Sequence, residues 1–260
     1  MPYAEVVTEL SGVQRTIHNA DISANTISDL LALPGTTLKR NNKSHTRRTG
    51  EYVIKSSEGP FPIELIRHTF DRDRYRRAWK AANHLARHGV FAPRPVAHVE
   101  WSFAGLVWGH ATITTYIDGC EDVEHYYDKH LRDAADSAKQ AAYLNRLANA
   151  VNTLAASGAI HTDLAGKNIL TRDGETFYFI DLDGVLLNTP FDESRQLHLH
   201  VQLYDSFIDR CGDDLLLPFI AALQPRDNGD LDSWIARVRA AQAVRRERTV
   251  AAWKREGKLQ

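Results

Sequence analysis

The sequence predicts an α+β chain in two parts, an antiparallel sheet first and a mainly helical part after it. Three observations carry this reading. Alternating strand patterns broken by tight turns fill residues 36–55 and 98–117. Apolar residues at helical spacing dominate 120–157, 194–223 and 232–258. Between these helical stretches lies a polar loop-and-hairpin segment, residues 160–184. Asp118-Gly119 breaks the pattern between the two parts, so the boundary is placed there, giving parts of 1–118 and 119–260.

Taken in order, residues 1–35 carry little pattern. Only Ser23–Leu33 reads as a short helix, with Ser23 or Asn25 as its cap and Pro34-Gly35 as its stop. T-T-L-K-R, a polar turn N-N-K-S-H, T-R-R and E-Y-V-I-K then read as strands. In the last of them Tyr52 and Ile54 share one face, Val53 and Lys55 the other. Residues 71–88 read as a helix ended by Gly89, with Tyr75, Ala78, Trp79, Ala82 and Leu85 on one stripe. F-A-P-R-P-V-A is an extended, proline-fixed connector. A hairpin-like pair follows, His98–Phe103 and Leu106–Ile117. Leu144, Leu147, Val151 and Leu154 form the buried stripe of the next long helix, which Ser157-Gly158 stops. The terminal helix pattern, Asp232–Lys258, offers Trp234, Ile235, Val238 and Trp253 as anchors.

Composition bounds the function. A chain of 260 residues, 43% of them hydrophobic, can bury a sizeable core. A net charge of −1 gives the whole molecule no bias toward nucleic acid. Cys120 and Cys211 alone make neither a disulfide framework nor a zinc pattern, which suits a reducing cytosol. The start, M-P-Y-A-E-V-V-T-E-L, lacks a basic region followed by an apolar one, so no signal peptide is expected. The longest apolar run, Leu215–Leu223, is too short to span a bilayer. The expected location is therefore the cytoplasm.

Chemistry concentrates in residues 160–184, I-H-T-D-L-A-G-K-N-I-L-T-R-D-G-E-T-F-Y-F-I-D-L-D-G. Asn168 follows Asp163 by five residues, and Asp181 follows it by eighteen, after the apolar run Phe177–Ile180. Arg172–Glu175 reads as a tight hairpin turn between them. Protein kinases use the same order: H-x-D-x-x-x-x-N, a hairpin, then an Asp opening D-x-G. Phosphoryl transfer needs a carboxylate beside the attacking hydroxyl and oxygen ligands for Mg²⁺ on the triphosphate. Asp163 suits the first role; Asn168 and Asp181 suit the second, with Asp183 as a further oxygen ligand. His161, two residues before Asp163, reads as a structural residue holding the loop.

Upstream, Lys55 ends an apolar strand about a hundred residues before Asp163, where a kinase-like fold keeps its phosphate-gripping lysine. The turn Asn41–His45 would cover the phosphates through backbone N–H groups and the Ser44 hydroxyl, although it holds no glycine. Adenine would lie against the backbone at Tyr116 and Ile117. The expected cofactors are thus ATP and Mg²⁺.

Several segments together carry a family resemblance: Y-V-I-K at 52–55, R-R-A-W at 76–79, H-G-V-F-A-P-R-P-V-A at 88–97, T-T-Y-I-D-G at 114–119, H-T-D-L-A-G-K-N-I-L at 161–170 and F-I-D-L-D-G at 179–184. Over residues 36–223 the chain resembles lipopolysaccharide kinases of the Kdo/heptose kinase type. The resemblance implies a two-lobed, protein-kinase-like fold and ATP-dependent phosphorylation of a sugar hydroxyl of lipopolysaccharide core or a related glycan. It implies Lys55 on the ATP phosphates, Asp163 as base, and Asn168 and Asp181 on Mg²⁺. Three features depart from the pattern: residues 71–88 hold no glutamate to orient Lys55, the nucleotide turn has no glycine, and Lys167 stands four residues after Asp163 instead of two. They leave a non-catalytic kinase-fold protein as an alternative. Tyr178–Asn188 also resembles the D-x-D-G motif of haloacid-dehalogenase-like phosphatases, with Asp181 as nucleophile and Asp213-Asp214 as a later acidic motif. A central parallel sheet would mark that second alternative. Finally, basic residues gather in 71–88 and in the tail from Arg237. They suit an anionic glycan or glycolipid acceptor, or peripheral attachment to an anionic inner-membrane surface.

Overall fold

Backbone alternation in the first half is realised as one large sheet. The computed structural model describes residues 5–10, 14–41, 44–57, 72–104, 106–132, 136–223 and 230–255. The chain forms two compact units. The first holds Met1–Gly119 together with Phe179–Leu186; the second holds Cys120–Tyr178 and Leu187–Gln260.

In the first unit the elements are β1 (Glu5–Leu10), β2 (Gln14–Asn19), α1 (Ala24–Ala32), β3 (Thr36–Arg40), β4 (Ser44–Thr49), β5 (Tyr52–Ser57), α2 (Arg72–Arg87), β6 (Pro95–Phe103) and β7 (Leu106–Thr115). Seven strands pair in the order β1-β2-β6-β7-β5-β4-β3. Every neighbouring pair is antiparallel. This is not the parallel sheet that the phosphatase alternative requires. Ser23 caps α1 by accepting from the Thr26 N–H. Ile27 and Leu30 of α1 then pack on Ile54, Ala97, Val99, Ala111 and Ile113, with Tyr52 beside Ile54 as expected. Alternation turns Lys55, His98, Glu100 and His110 to the other face. There α2 buries Trp79, Ala82 and Leu85. The expected Asp71, and the Tyr75 side chain, lie outside the described residues.

Three features of this unit depart from the sequence reading. Strands β1 and β2 were not expected, because the buried positions of β2 are Thr16, His18 and Asn19 and no apolar alternation marks them. Ser44 and His45, expected in the turn, open strand β4 instead. The segment Phe179–Leu186, which the sequence boundary places with the later part, groups here with the first unit. The Phe179 N–H donates to the Phe91 carbonyl at 3.0 Å, and the Lys55 ammonium holds two carboxylates of the segment.

The second unit comprises β8 (Glu121–Asp122), α3 (Val123–His130), α4 (Ser137–Ala156), β9 (Ala159–His161), β10 (Ile169–Thr171), β11 (Phe177–Phe179), α5 (Glu193–Phe207), α6 (Asp213–Ala222) and α7 (Leu231–Arg255). The hairpin β10–β11 extends to β8 in a three-stranded sheet. Asp173 shapes its turn by accepting from the Glu175 and Thr176 N–H groups, and Gly174 takes a φ of +71° there. Leu144, Leu147, Val151 and Leu154 are buried as their spacing predicts. Residues 194–223, helical as expected, form two helices separated at Cys211-Gly212. In α7, Trp234, Ile235 and Val238 are buried; the Trp253 side chain lies outside the described residues. Four of the basic residues of α7 are held in ion pairs within this unit, while Arg248, Lys254 and Arg255 are exposed. Arg237 pairs with Glu193, Arg239 with Asp213, Arg245 with Asp205 and Arg246 with Asp209.

Candidate active site

In the second unit, β9 ends at buried His161, and the chain turns through Asp163 into a single 3-10 turn, Gly166–Asn168. The His161 ring accepts at Nδ1 from the Asp163 N–H at 3.3 Å, the structural role its position suggests. Two residues of α5, one turn apart, hold the rest of the loop. Gln202 Oε1 accepts from the Leu164 N–H at 2.7 Å, and Ser206 Oγ accepts from the Gly166 N–H at 2.9 Å. Gly166 also lets the Glu124 side chain of α3 lie close, since a Cβ there would stand 2.5 Å from its Cγ.

The loop delivers a half-buried Asp163 carboxylate with three donors around it. Asn168 Nδ2 donates to Oδ2 at 3.1 Å and to the Asp163 carbonyl at 2.7 Å. Gln202 Nε2 donates to Oδ1 at 3.4 Å, and the Lys167 ammonium stands 3.8 Å from Oδ2. With its NH₂ committed to Asp163, the Asn168 amide is oriented and offers its oxygen as a ligand. Asp163, Asn168 and Lys167 are therefore brought together. Gln202 and Ser206 were not foreseen; they lie about forty residues downstream, and no local pattern marks them.

In the first unit Lys55 projects from β5, and its ammonium bonds Asp181 Oδ1 at 2.6 Å and Asp183 Oδ1 at 3.1 Å. These carboxylates hold the lysine that the glutamate-free helix α2 does not. Burial opposes the Lys55 charge, but Asp183 and Asp181 more than offset it, and its pKa lies above the usual lysine range. Burial likewise opposes the Asp181 anion, yet its contact with Asp183 and the charge of Lys55 hold its carboxyl well below the usual carboxylate range. Burial and the same contact with Asp181 push Asp183 up. Asp181 adopts a left-handed conformation, φ 59° and ψ 48°, immediately before a 3-10 turn. Such backbone is uncommon for a residue with a Cβ and concentrates at functional sites.

The remaining expected residues sit around this sheet. Thr46 faces Lys55 across β4 and β5, so Ser44, two residues earlier, shares the Lys55 face. The Ser44 N–H already donates to Asn41 Oδ1 at 2.9 Å. Lys39, opposite Thr46 on β3, adds positive charge that lowers the Asp181 pKa; the sequence reading passed over it. Tyr116 gives its N–H to the Glu51 carbonyl at 2.7 Å and stacks its ring under Arg48 at 3.8 Å. Ile117 beside it is half-buried.

Among family models, that of the lipopolysaccharide kinase (Kdo/WaaP) family matches residues 35–215, more than half of the chain. The chain belongs to that family. No curated protein matches it. Among solved structures it is similar to one described as "WaaP in complex with acyl carrier protein", with a TM-score of 0.62 and 18% identity over 87% of this chain and 92% of that chain. At that identity the likeness speaks for the shared kinase-like fold. That family is a kinase family, not the haloacid-dehalogenase-like phosphatases of the second alternative.

Proposed function

We propose that this chain is an ATP-dependent kinase that phosphorylates a sugar hydroxyl of lipopolysaccharide core, on Kdo or heptose, or of a closely related glycan. The observation that supports it most directly is the Asp163 carboxylate, held by Asn168, Gln202 and Lys167 on a loop anchored to α5. In this reading Asp163 accepts the proton of the sugar hydroxyl as it attacks. Lys167, beside the same carboxylate, offers a positive charge near the attacking group. Gln202 is a positioning residue, since it fixes both the loop backbone and the carboxylate.

We assign Lys55 to the nucleotide phosphates, with Ser44 and Lys39 on the same sheet face in support. The backbone at Tyr116 and Ile117 takes the adenine; because the Tyr116 N–H is committed to Glu51, the carbonyls and Ile117 would supply the contacts. Asn168 and Asp181 are the Mg²⁺ ligands, with Asp183 nearby. Their hard oxygen donors fit that ion. Bound Mg²⁺ would neutralise charge on the triphosphate. Asp183 then keeps Lys55 in place, the task a helix glutamate performs in protein kinases.

The acceptor is expected to be an anionic glycan or glycolipid, met at the cytoplasmic face. No helix among the described residues is long and apolar enough to cross a membrane. Because α7 spends four arginines on internal ion pairs, attraction to an anionic surface would rest on exposed Lys80 and Arg87 of α2 and on exposed Arg248, Lys254 and Arg255 of α7. The test is phosphate transfer from labelled ATP to purified core oligosaccharide, followed by mass spectrometry of core from cells with and without the gene. A core with unchanged phosphate content in the gene's absence, together with no transfer in vitro, would overturn the reading.

A further inference from the structure

Three metal-ligating side chains meet in the first unit at a place the kinase reaction does not use. His98 and Glu100 stand two residues apart on β6, and His110 stands directly across from Glu100 on β7. All three therefore point to one face of the sheet, the face opposite the α1 core. Each is only 1% exposed. One ligand atom from each lies within 4.8 Å of the other two. The two imidazoles stack with centroids 5.6 Å apart.

Burial this deep asks each polar atom for a partner. Among the described residues neither ring nitrogen of His98 meets a hydrogen-bond partner. Glu100 is fixed from outside: Arg76 donates to its Oε2 at 3.0 Å. A carboxylate has about four lone-pair sites and can hold a metal ion while it accepts hydrogen bonds. Outer hydrogen bonds of this kind are how metal-ligating carboxylates are usually oriented.

We propose that His98, Glu100 and His110 form a structural site for a divalent transition-metal ion of the zinc class. Two imidazoles and one carboxylate suit zinc, whereas Mg²⁺ takes oxygen ligands. Tetrahedral bonds of about 2.0–2.1 Å set ligand atoms about 3.3 Å apart, within reach by side-chain rotation from the observed spacing. Water completes the fourth position. The ion ties β6 to β7 and, through Glu100 and Arg76, to α2. It stiffens the sheet on which Lys55 pairs with Thr112, two residues from His110. Arg76, and Arg15 opposite Glu100 on β2, repel a dication, so micromolar affinity is expected instead of the nanomolar affinity of thiolate sites.

Cobalt titration of the purified, chelator-treated full chain tests the site. About one equivalent of Co²⁺ should give the visible bands of four-coordinate cobalt, and Zn²⁺ should displace it. His98→Gln and His110→Gln should each weaken binding at least about tenfold. His84 and His88, one turn apart at the end of α2, are a competing surface chelator; His88→Ala must leave the cobalt spectrum unchanged. X-ray absorption of the zinc-loaded unaltered chain, which needs no variant to fold, should show two imidazoles and oxygen. A six-coordinate spectrum, binding abolished by His88→Ala, or no binding at micromolar metal would overturn the proposal and leave a purely polar cluster.

Discussion

Replacing Asp183 with Asn is the sharpest test of how Lys55 is held. The substitution keeps the shape of the side chain and removes its charge. In the structure Lys55 has two anionic partners, Asp181 at 2.6 Å and Asp183 at 3.1 Å. If Asp181 turns to a metal ion, as proposed, Asp183 is the partner that remains. A hydrogen bond between charged groups contributes roughly 1.5–3 kcal/mol. Lys55 and Asp183 are only partly buried, so solvent screening reduces this to about 1–2 kcal/mol. That corresponds to about a 5- to 30-fold weakening of Mg²⁺–ATP binding. Titration with a fluorescent ATP analogue, alongside kcat/KM for ATP, reads the change. A double-mutant cycle with Lys55→Met separates the mechanism from general damage: in the Lys55→Met background, Asp183→Asn should have little further effect. Affinity within about twofold of the parent, or equal losses in both backgrounds, would show that Asp183 does not act through Lys55.

Other outcomes follow from the same geometry. Asp163→Asn should lower turnover by about 10²–10⁴-fold while ATP binding persists; a loss below threefold would remove Asp163 from the role of base. Asp181→Ala should abolish Mg²⁺-dependent nucleotide binding, and an aspartyl-phosphate trapped at Asp181 would refute the kinase assignment. Gln202→Ala should cost about 10- to 100-fold in kcat with unchanged ATP affinity, because it misplaces Asp163 without touching the nucleotide side. His200 accepts at Nδ1 from the Trp234 indole N–H, and burial holds its pKa down to about 4. Its folded value is thus below its unfolded value. The stability it contributes is complete above the unfolded value of about 6.5 and is lost as pH falls toward 4, about 2 kcal/mol of it by pH 5. Urea melts at pH 7 and pH 5 should show this, and His200→Gln should flatten the slope. Binding to anionic vesicles should weaken when Lys80 and Arg87 become Ala, by about 1 kcal/mol each, and barely change when the paired Arg245 and Arg246 do.

What could be read from the chain, and what could not, follows from the range of the interactions. Strand β5 alternates along the sequence, so its two faces were legible before any pairing was known, and the hairpin of β6 and β7 was legible from its strand pattern. The stripe of α4, the Asp173-Gly174 turn and the role of His161 depend on residues within a few positions of each other, and they too were legible. Strand β2 hid itself, because what it buries is Thr16, His18 and Asn19, polar residues that carry no hydrophobic signal. Gln202 and Ser206 hid for another reason: their partners are backbone amides about forty residues away, and a backbone amide leaves no mark in a sequence. Asp183 was seen, but only as a ligand, since the sequence does not say that Lys55 lies beside it.

The buried trio is the clearest instance of what only pairing reveals. His98 and Glu100 are two apart, and His110 follows ten residues later; neither interval is a metal-binding signature. The hairpin between β6 and β7 passes through an irregularity at Trp101 and Ser102, and it is this shifted register that sets His110 opposite Glu100. A slip of one residue would turn His110 to the α1 face. Then a polar ring would stand among Ile27, Val99 and Ile113, at a desolvation cost. The register that protects the apolar core is thus the same one that assembles two imidazoles and a carboxylate on the opposite face.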